Sequence, residues 1–268
     1  MKIRLLGTGG ADGIPGLFSD SRVSNYAREC GGKDVRTRSS ALVDDGLKID
    51  FPPDTFHQVV RDGLKPQDWT AVVYTHSDDD HFAVNQLQYA LHPFTENEKF
   101  EFTIYGNVTV VDRLSARYPD WPIEAIITSS FVPFAHGDYR VTPFRANHKQ
   151  DEDSQNLVIE RGDRTLIYAT DTGIWGPESW AFIETVRANA LVIECTDGFV
   201  PTSYTGHLDV VNCIEVVDRL RTLGVLAEST TVVTTHHSHQ GDGTYAELCR
   251  ALAPHGIQVG YDGYVAEI

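Results

Sequence analysis

The sequence predicts an α/β protein in which two β-sheets pack against each other and helices cover them. Short apolar runs of the β type recur in both halves of the 268 residues, and helical patterns alternate with them. No stretch between the halves has the composition of a linker or of a low-complexity tract. A chain of this length can bury a large core as one unit. We therefore predict that residues 1–268 form a single domain.

The first half is predicted to be rich in strands. Glycine and aspartate turns separate its apolar runs, which is typical of strands and hairpins. Residues 16–38 are polar and irregular, and predict a long surface loop. Asp54 is expected to cap a helix that Gly63 ends. The predicted strands cover 3–6, 41–43, 47–50 and 71–75, and the predicted helices cover 54–60 and 84–91.

The second half repeats this rhythm with longer helices. Residues 161–164, Arg-Gly-Asp-Arg, are predicted to form a hairpin turn. Asp209 is expected to cap a helix whose apolar residues recur at helical spacing. The predicted strands cover 139–144, 157–160, 165–169, 190–194, 230–234 and 257–259, and the predicted helices cover 178–188, 209–220 and 245–252.

Composition narrows the classes of partner. The net charge of −16 argues against a broad surface that follows phosphates, so no nucleic-acid partner is expected. Cys30, Cys195, Cys213 and Cys249 lie far apart and form no CxxC pair, which predicts reduced thiols and a cytoplasmic protein. Residues 1–7 lack the apolar stretch of a signal peptide, and no segment is long enough to span a bilayer, so no membrane association is expected.

Residues 76–81, His-Ser-Asp-Asp-Asp-His, place two imidazoles and several carboxylates in one short turn. The turn follows the apolar run 71–75, so it is predicted to lie at the edge of a sheet. Imidazole nitrogen and carboxylate oxygen are the ligands that zinc, manganese or iron takes in proteins. A solvated, Asp-rich loop is the alternative interpretation. The flanking His76 and His81 favour metal binding over it.

Further ligand-type residues also come shortly after predicted strands. His148, Asp171 and His236 each stand in this position. Because strand ends along one edge of a sheet carry functional loops, these side chains are expected to meet the first turn. Together they predict a metal site. His237 and His239 stand beside His236, and the residues alone do not choose among these three.

These motifs resemble the metallo-β-lactamase superfamily of metal-dependent hydrolases, and the resemblance runs nearly end to end. The superfamily signature is His-x-His-x-Asp-His followed by a distant His, Asp and His. Within it the chain is most similar to the branch of tRNA 3′-processing endonucleases and the phosphoribosyl cyclic phosphodiesterase. The ending 259–263, Val-Gly-Tyr-Asp-Gly, favours the phosphodiesterase. Besides 76–81, the motifs that carry the resemblance are 6–9 Leu-Gly-Thr-Gly, 169–173 Ala-Thr-Asp-Thr-Gly, 206–208 Gly-His-Leu and 235–239 Thr-His-His-Ser-His.

The resemblance implies an αββα four-layer sandwich, with two mixed sheets face to face and helices on the outer faces. It also implies two divalent ions (zinc, manganese or iron) at one edge. A metal-bound hydroxide between the ions would be the nucleophile. Carried over by position, the ligands would be His76, Asp78 and His148 for the first ion, Asp80, His81 and His236 for the second, and Asp171 as the bridge.

His207 and Asp80 are the residues to which the resemblance gives catalytic roles. His207 stands where this branch has a histidine that is not a ligand. It would hydrogen-bond the phosphoryl oxygen or protonate the leaving group. The alternative for His207 is a surface residue beside the cap of the helix 209–220. Asp80 would act as a ligand within the reacting centre.

Asp78 departs from the superfamily pattern, which has a histidine there. A carboxylate can still bind the ion, but three carboxylates and one hydroxide would fully offset two divalent cations. Such a centre is a weaker Lewis acid and favours manganese or iron over zinc. Asp78 could also point away from the centre and leave one ion weakly held.

The predicted function is that of a metal-dependent hydrolase that cleaves a small, possibly cyclic phosphodiester. Its partner would be a small-molecule substrate, and the chain could form a homodimer. Hydrolysis of a non-phosphate ester, lactone or amide on the same scaffold is the first alternative. The second alternative is a metal-binding protein without turnover, because Asp78 replaces the usual histidine.

Overall fold

Two mixed β-sheets form the centre of the protein in a computed structural model that describes residues 1–99 and 101–268. Over these residues each sheet has seven strands. In each sheet three neighbouring strand pairs are antiparallel and three are parallel. The fold class predicted from the sequence is confirmed.

The first sheet is built mainly from the first half of the chain. Its strands are β1 (Lys2–Gly7), β2 (Ser40–Val43), β3 (Leu47–Ile49), β4 (Ala71–Val73), β5 (Thr103–Gly106), β6 (Ala125–Ile127) and β14 (Val265–Glu267). Their order is β14-β1-β2-β3-β4-β5-β6, so the last strand of the chain joins the edge beside the first.

The second sheet comes from the second half. Its strands are β7 (Phe134–His136), β8 (Tyr139–Arg145), β9 (Gln155–Arg161), β10 (Arg164–Ala169), β11 (Ala188–Glu194), β12 (Leu226–Thr235) and β13 (Gln258–Val259). They lie in the order β13-β12-β11-β10-β9-β8-β7.

Alternating side chains of both sheets pack between them. Ile3 and Leu5 of β1 share one buried cluster with Leu166 and Tyr168 of β10, so the two sheets lie face to face. Successive side chains of a strand point to opposite faces. Accordingly Ile167 of β10 belongs to a different buried cluster, on the outer face of the second sheet.

Helices cover both outer faces. They are α1 (Arg22–Cys30), α2 (Thr55–Asp62), α3 (Val108–Arg117), α4 (Pro177–Ile183), α5 (Val210–Thr222) and α6 (Tyr245–Leu252). Val110 and Leu114 of α3 pack on Val72 and Ile104 of the first sheet. The buried residues of α4, α5 and α6 pack on the second sheet. Short 3₁₀ helices cover Gly32–Asp34, Pro66–Asp68, Val84–Ala90, His239–Gly241 and Ala253–His255.

The prediction of an irregular loop over residues 16–38 was wrong, because this stretch contains α1. The hydroxyl of Ser21 caps the helix by accepting a hydrogen bond from the backbone N–H of Ser24. Only Val23 and Ala27 give the helix a buried apolar side. Two apolar residues among polar ones are too weak a periodicity to reveal a helix of nine residues.

Three helix predictions also need correction. The helix predicted over 84–91 is a 3₁₀ helix, Val84–Ala90. The helix predicted over 178–188 ends at Ile183, and Ala188 already begins β11. Asp54 occupies the N-cap position of α2, but its carboxylate accepts a hydrogen bond from the Arg38 backbone N–H (2.9 Å) instead of capping the helix. Gly63 ends α2 in the left-handed conformation, as predicted.

The remaining expectations concern the state of the cysteines and the presence of membrane-spanning helices. All four cysteines are free thiols, with Cys195 and Cys213 buried. No helix in the described part of the chain has the length and apolar character needed to cross a membrane.

Candidate metal centre

The carboxyl ends of four strands carry the predicted ligands to one edge of the sandwich. The turn 76–81 follows β4, and His148 follows β8. Asp171 and His236 follow β10 and β12, which run parallel to β11 between them. Parallel strands end at the same edge of a sheet, so these two loops lie on the same side of β11.

His76, Asp78 and His148 form a first cluster. Nε2 of His76 lies 3.4 Å from Asp78 Oδ2, and Nε2 of His148 lies 3.3 Å from the same oxygen. One ligand atom from each of His76, His148 and Asp171 lies within 4.8 Å of the others. Asp78 thus contacts both rings, whereas the three residues whose ligand atoms all lie close together are His76, His148 and Asp171.

Asp80, His81 and His236 form a second cluster, again with ligand atoms within 4.8 Å of one another. Nε2 of His81 is 3.2 Å from Asp80 Oδ2, and Nε2 of His236 is 3.7 Å from the same oxygen. Asp171 stands between the clusters. Its Oδ2 is 3.0 Å from His81 Nε2, and its Oδ1 is 3.2 Å from His236 Nε2 and 3.9 Å from His148 Nε2.

Each of the five histidine rings around the centre uses Nδ1 for a hydrogen bond to a neighbouring group. This contact fixes the ring and leaves Nε2 as the nitrogen available to the centre. The pairs are His76 with Thr75 Oγ1 (3.0 Å), His81 with Asp50 Oδ2 (2.8 Å), His148 with the Tyr204 hydroxyl (3.1 Å), His207 with Glu194 Oε1 (2.9 Å) and His236 with Thr196 Oγ1 (2.9 Å).

The backbone is strained at three residues of the centre. Asp50, Asp171 and His236 have φ values of 55°, 47° and 55°, in the left-handed region that non-glycine residues rarely adopt. Such strain persists where the surrounding structure imposes it, and it is concentrated at functional sites. The turns after β3, β10 and β12 are therefore held in conformations that direct these side chains into the centre.

The carboxylates are kept ionised by the rings around them. The neighbouring rings of His148 and His76 lower the pKa of Asp78. Burial is the largest single influence on Asp80 and would raise its pKa, but the His81 and His236 rings together outweigh it and lower this pKa. The same balance holds at Asp171, where His236 and His81 lower the pKa against the effect of burial. All three carboxylates are thus available as ligands at neutral pH.

His207 lies beside the second cluster and is paired with a buried acid. A ligand atom of His207 falls within 4.8 Å of those of Asp171 and His236. Burial opposes protonation of the ring, but the charge of Glu194 and its hydrogen bond to the ring raise the pKa of His207 to about 9. The alternative of a surface residue does not hold, because the side chain is 17% exposed and held by Glu194.

The three histidines after β12 have different surroundings. The ring of His236 lies in the second cluster. His237 is buried, with Nε2 3.1 Å from the Thr234 hydroxyl. His239 directs Nε2 to Asp12 Oδ2, at 2.5 Å. Of these three histidines, His236 is the one whose ring lies with Asp80 and His81.

The donor set fits divalent metal ions. Nε2 of His76 is buried and makes no hydrogen bond within the part of the chain that the structure describes. A buried ring nitrogen without a partner costs free energy unless something else satisfies it. Imidazole nitrogens and carboxylate oxygens together match zinc, manganese and iron. The centre therefore has the composition and the unmet bonding capacity of a metal site.

A polar cavity of about 310 Å³ opens beside His207. Asp197 and Asp209 are the two carboxylates in its wall. Among the described residues that line it there is no lysine or arginine. Ile174 and Tyr204 also line it, and further hydroxyl and amide groups come from Asn147, Thr202, Thr205 and Asn212.

Several supporting residues are not predicted by the sequence motifs. Asp50 and Thr75 orient the rings of the 76–81 turn, and Glu194 orients His207. Each lies at or just after the end of a buried strand: β3, β4 and β11. A polar residue that closes an apolar strand is the signal that could have revealed them.

The fold is that of the metallo-β-lactamase class. The chain belongs to the β-lactamase superfamily, because the family model described as "Beta-lactamase superfamily domain" matches residues 45–237. The superfamily predicted from the motifs is confirmed. A search of the curated proteins returned no significant match.

Solved structures share the fold along the whole chain. Zn²⁺-bound PqqB from Methylobacterium extorquens has a TM-score of 0.79 at 17% identity, over 100% of both chains. A diphosphatase from the PhnP family has a TM-score of 0.76 at 21% identity, over 100% of this chain and 97% of that one. The short form of human tRNase Z has a TM-score of 0.64 at 18% identity, over 100% and 99%.

Proposed function

We propose that the protein is a hydrolase with two divalent metal ions that cleaves a small phosphodiester. The observation that carries this proposal is that Asp171 lies beside both ligand clusters, with Oδ2 at 3.0 Å from His81 Nε2 of the second cluster and Oδ1 at 3.9 Å from His148 Nε2 of the first. A carboxylate in this position is suited to bridging two ions. His76, Asp78 and His148 would hold the first ion, and Asp80, His81 and His236 the second.

The chain's own residues would orient the substrate and move a proton. When bound, two divalent ions supply the Lewis acidity that activates water and withdraws charge from a phosphoryl group. Asp171 would help to hold both ions, and Asp80 would help to hold the second. His207 would donate the proton that the leaving oxygen requires, while Glu194 holds the ring in place and keeps it protonated at neutral pH.

The cavity beside His207 would receive the leaving alcohol. Its wall carries two carboxylates, hydroxyls and amides, which favour a neutral or cationic group with hydrogen-bond donors. A leaving group with a phosphate of its own would meet repulsion from Asp197 and Asp209.

The net charge of −16 and the composition of this cavity support a small substrate over a nucleic acid. Among the structural neighbours, one is named a diphosphatase and another a tRNase Z. Four free thiols support a cytoplasmic location. A non-phosphate ester or lactone is the second candidate, because the described residues of the cavity wall include no lysine or arginine.

Turnover by metal-loaded protein tests the proposal. The purified chain is stripped with chelator and reloaded with Mn²⁺ or Zn²⁺, and bound metal is counted by mass spectrometry. Bis-p-nitrophenyl phosphate and p-nitrophenyl acetate are then compared as substrates. We expect faster turnover of the phosphodiester, and its loss in Asp171→Ala.

Asp79→Ala is the matched control. Asp79 belongs to the same turn as the ligands, but its side chain is 92% exposed and pairs with Arg113 at 2.8 Å. This variant should keep the metal and the activity. Turnover of the acetate alone would overturn the phosphodiester proposal and support the second candidate, hydrolysis of a non-phosphate ester. Full metal content without turnover of either substrate would leave a metal-binding protein that is not a hydrolase.

A further inference from the structure

Lys149 links the carboxylate of Asp78 to a buried acid. Its Nζ lies 2.7 Å from Asp78 Oδ1 and 3.1 Å from Glu152 Oε2. Glu152 in turn accepts hydrogen bonds from the Ser77 hydroxyl (2.8 Å) and the Asn107 amide (2.8 Å), and its side chain is 1% exposed. The ammonium therefore has a rigid anchor, and its contact with Asp78 is built into the fold.

The two oxygens of Asp78 have different neighbours. Oδ2 faces the Nε2 atoms of His76 and His148, whereas Oδ1 is taken by Lys149. Only Oδ2 remains for a cation at this position. A carboxylate with both oxygens free could bind in a bidentate manner and would bring its full negative charge.

Lys149 also changes the charge at the first cluster. A carboxylate adds one negative charge relative to a neutral imidazole, and the ammonium adds one positive charge in direct contact with it. Because Glu152 shares the ammonium, the offset at Asp78 is partial. The pair of Asp78 and Lys149 thus presents to an ion one oxygen with reduced charge.

We infer that Lys149 is a positioning residue that makes Asp78 a single-oxygen ligand of reduced charge and thereby sets the ion affinity and preference of the first cluster. This inference rests on the proposed metal centre. It also explains how position 78 can hold an aspartate, since the ammonium offsets part of the charge of the carboxylate. Lys149 directly follows the ligand His148 on the same loop.

Metal titration separates this role from a purely structural one. Calorimetric titrations with Mn²⁺ and Zn²⁺ are compared for the wild type, Lys149→Met and Lys149→Arg. Removing the ammonium removes repulsion and frees the second oxygen, so Lys149→Met should bind Mn²⁺ about tenfold more tightly or better. Lys149→Arg should resemble the wild type. A lysine that merely supported the loop would give weaker binding in Lys149→Met.

Two further variants complete the test. Arg113→Met removes a cation that contacts Ser77 and Asp79 but not Asp78, and it should not tighten binding. Asp78→His leaves the ammonium without its partner in the centre, so it should bind more weakly than the double variant Asp78→His/Lys149→Met. If circular dichroism shows that Lys149→Met is misfolded, Lys149→Gln takes its place with the same expected direction.

The outcomes distinguish the two proposals. Wild-type protein that binds no ion would overturn the proposed function itself. Wild-type protein that binds ions, with equal or weaker binding in Lys149→Met, would overturn the role of Lys149 alone. So would an Asp78→His variant that binds as tightly as the double variant.

Discussion

Asp50 Oδ2 lies 2.8 Å from His81 Nδ1, and both side chains are fully buried. Asp50 also contacts the Thr75 hydroxyl, which in turn contacts Nδ1 of His76. One carboxylate thus fixes two rings of the candidate centre, directly and through a hydroxyl. Neither ring can rotate without breaking a buried hydrogen bond.

Replacing Asp50 should weaken metal binding without removing a ligand. Asp50→Asn keeps the shape of the side chain but loses the charge that orients His81. Partners of this kind are worth about 10- to 100-fold in metal affinity or activity. Calorimetric titration with Zn²⁺ measures the loss. An affinity equal to that of the wild type would show that His81 needs no such support.

Replacing His207 should slow the reaction without changing the metal content. The loss of a general acid lowers the rate by about a hundredfold to ten-thousandfold. The deficit in His207→Gln should be smaller for p-nitrophenol esters, whose leaving group needs no proton, than for alkyl esters. Metal analysis serves as the control. Loss of one ion in this variant would instead identify His207 as a ligand.

Gly173 is expected to be required for the architecture of the loop after Asp171. A Cβ at this position would collide with the backbone carbonyl oxygen of Thr205, on the segment that leads to His207. Gly173→Ala should therefore destabilise the fold by about 1–3 kcal/mol and lower activity. Gly176→Ala is the control, because a Cβ there meets no atom within 4 Å. Thermal unfolding compares the two, and equal melting temperatures would contradict the prediction.

Lys48 should make stability depend on pH in the alkaline range. Its side chain is fully buried in β3, and burial lowers the pKa from 10.5 to about 7. The unfolded chain keeps the ordinary pKa, so between these values the unfolded state binds more protons than the folded state. The free energy of unfolding therefore rises with pH through this window. At and below about pH 7 this gain is absent, because Lys48 is protonated in both states.

The wild type compared with Lys48→Met isolates this effect from other titrating groups. Urea unfolding at about pH 7.5 and about pH 9.5 gives the free energies of unfolding. The wild-type value should rise relative to that of Lys48→Met by up to about 1.4 kcal/mol per pH unit. A difference that does not change with pH would show that Lys48 titrates alike in both states.

Much of the fold and of the centre could be predicted because the ligand-type residues come just after recognisable strands. His76, Asp171 and His236 come directly after apolar runs, and a strand fixes the direction in which the next residues leave the sheet. The helix α1 and the strands β5 to β7 could not be predicted in the same way. Their apolar stripes are short, and several of their side chains remain partly exposed, such as Ile126 and Ile127 at 39% and 54%.

The role of Lys149 could not be predicted from the sequence, for a different reason. Nothing in the order of residues says that Lys149 contacts Asp78, which is 71 positions away. The contact depends on the meeting of loops from β4 and β8, which belong to different sheets. Partners of ligands are a tertiary property, whereas the ligands themselves follow a local pattern.

Anomalous X-ray diffraction from crystals loaded with Zn²⁺ tests the central claim most directly. Two peaks are expected, about 3.5–4 Å apart, with Asp171 between them. Asp78 should approach the first peak through Oδ2, with Oδ1 still on Lys149. A single peak, or none within reach of Asp171, would contradict the account of a two-ion centre.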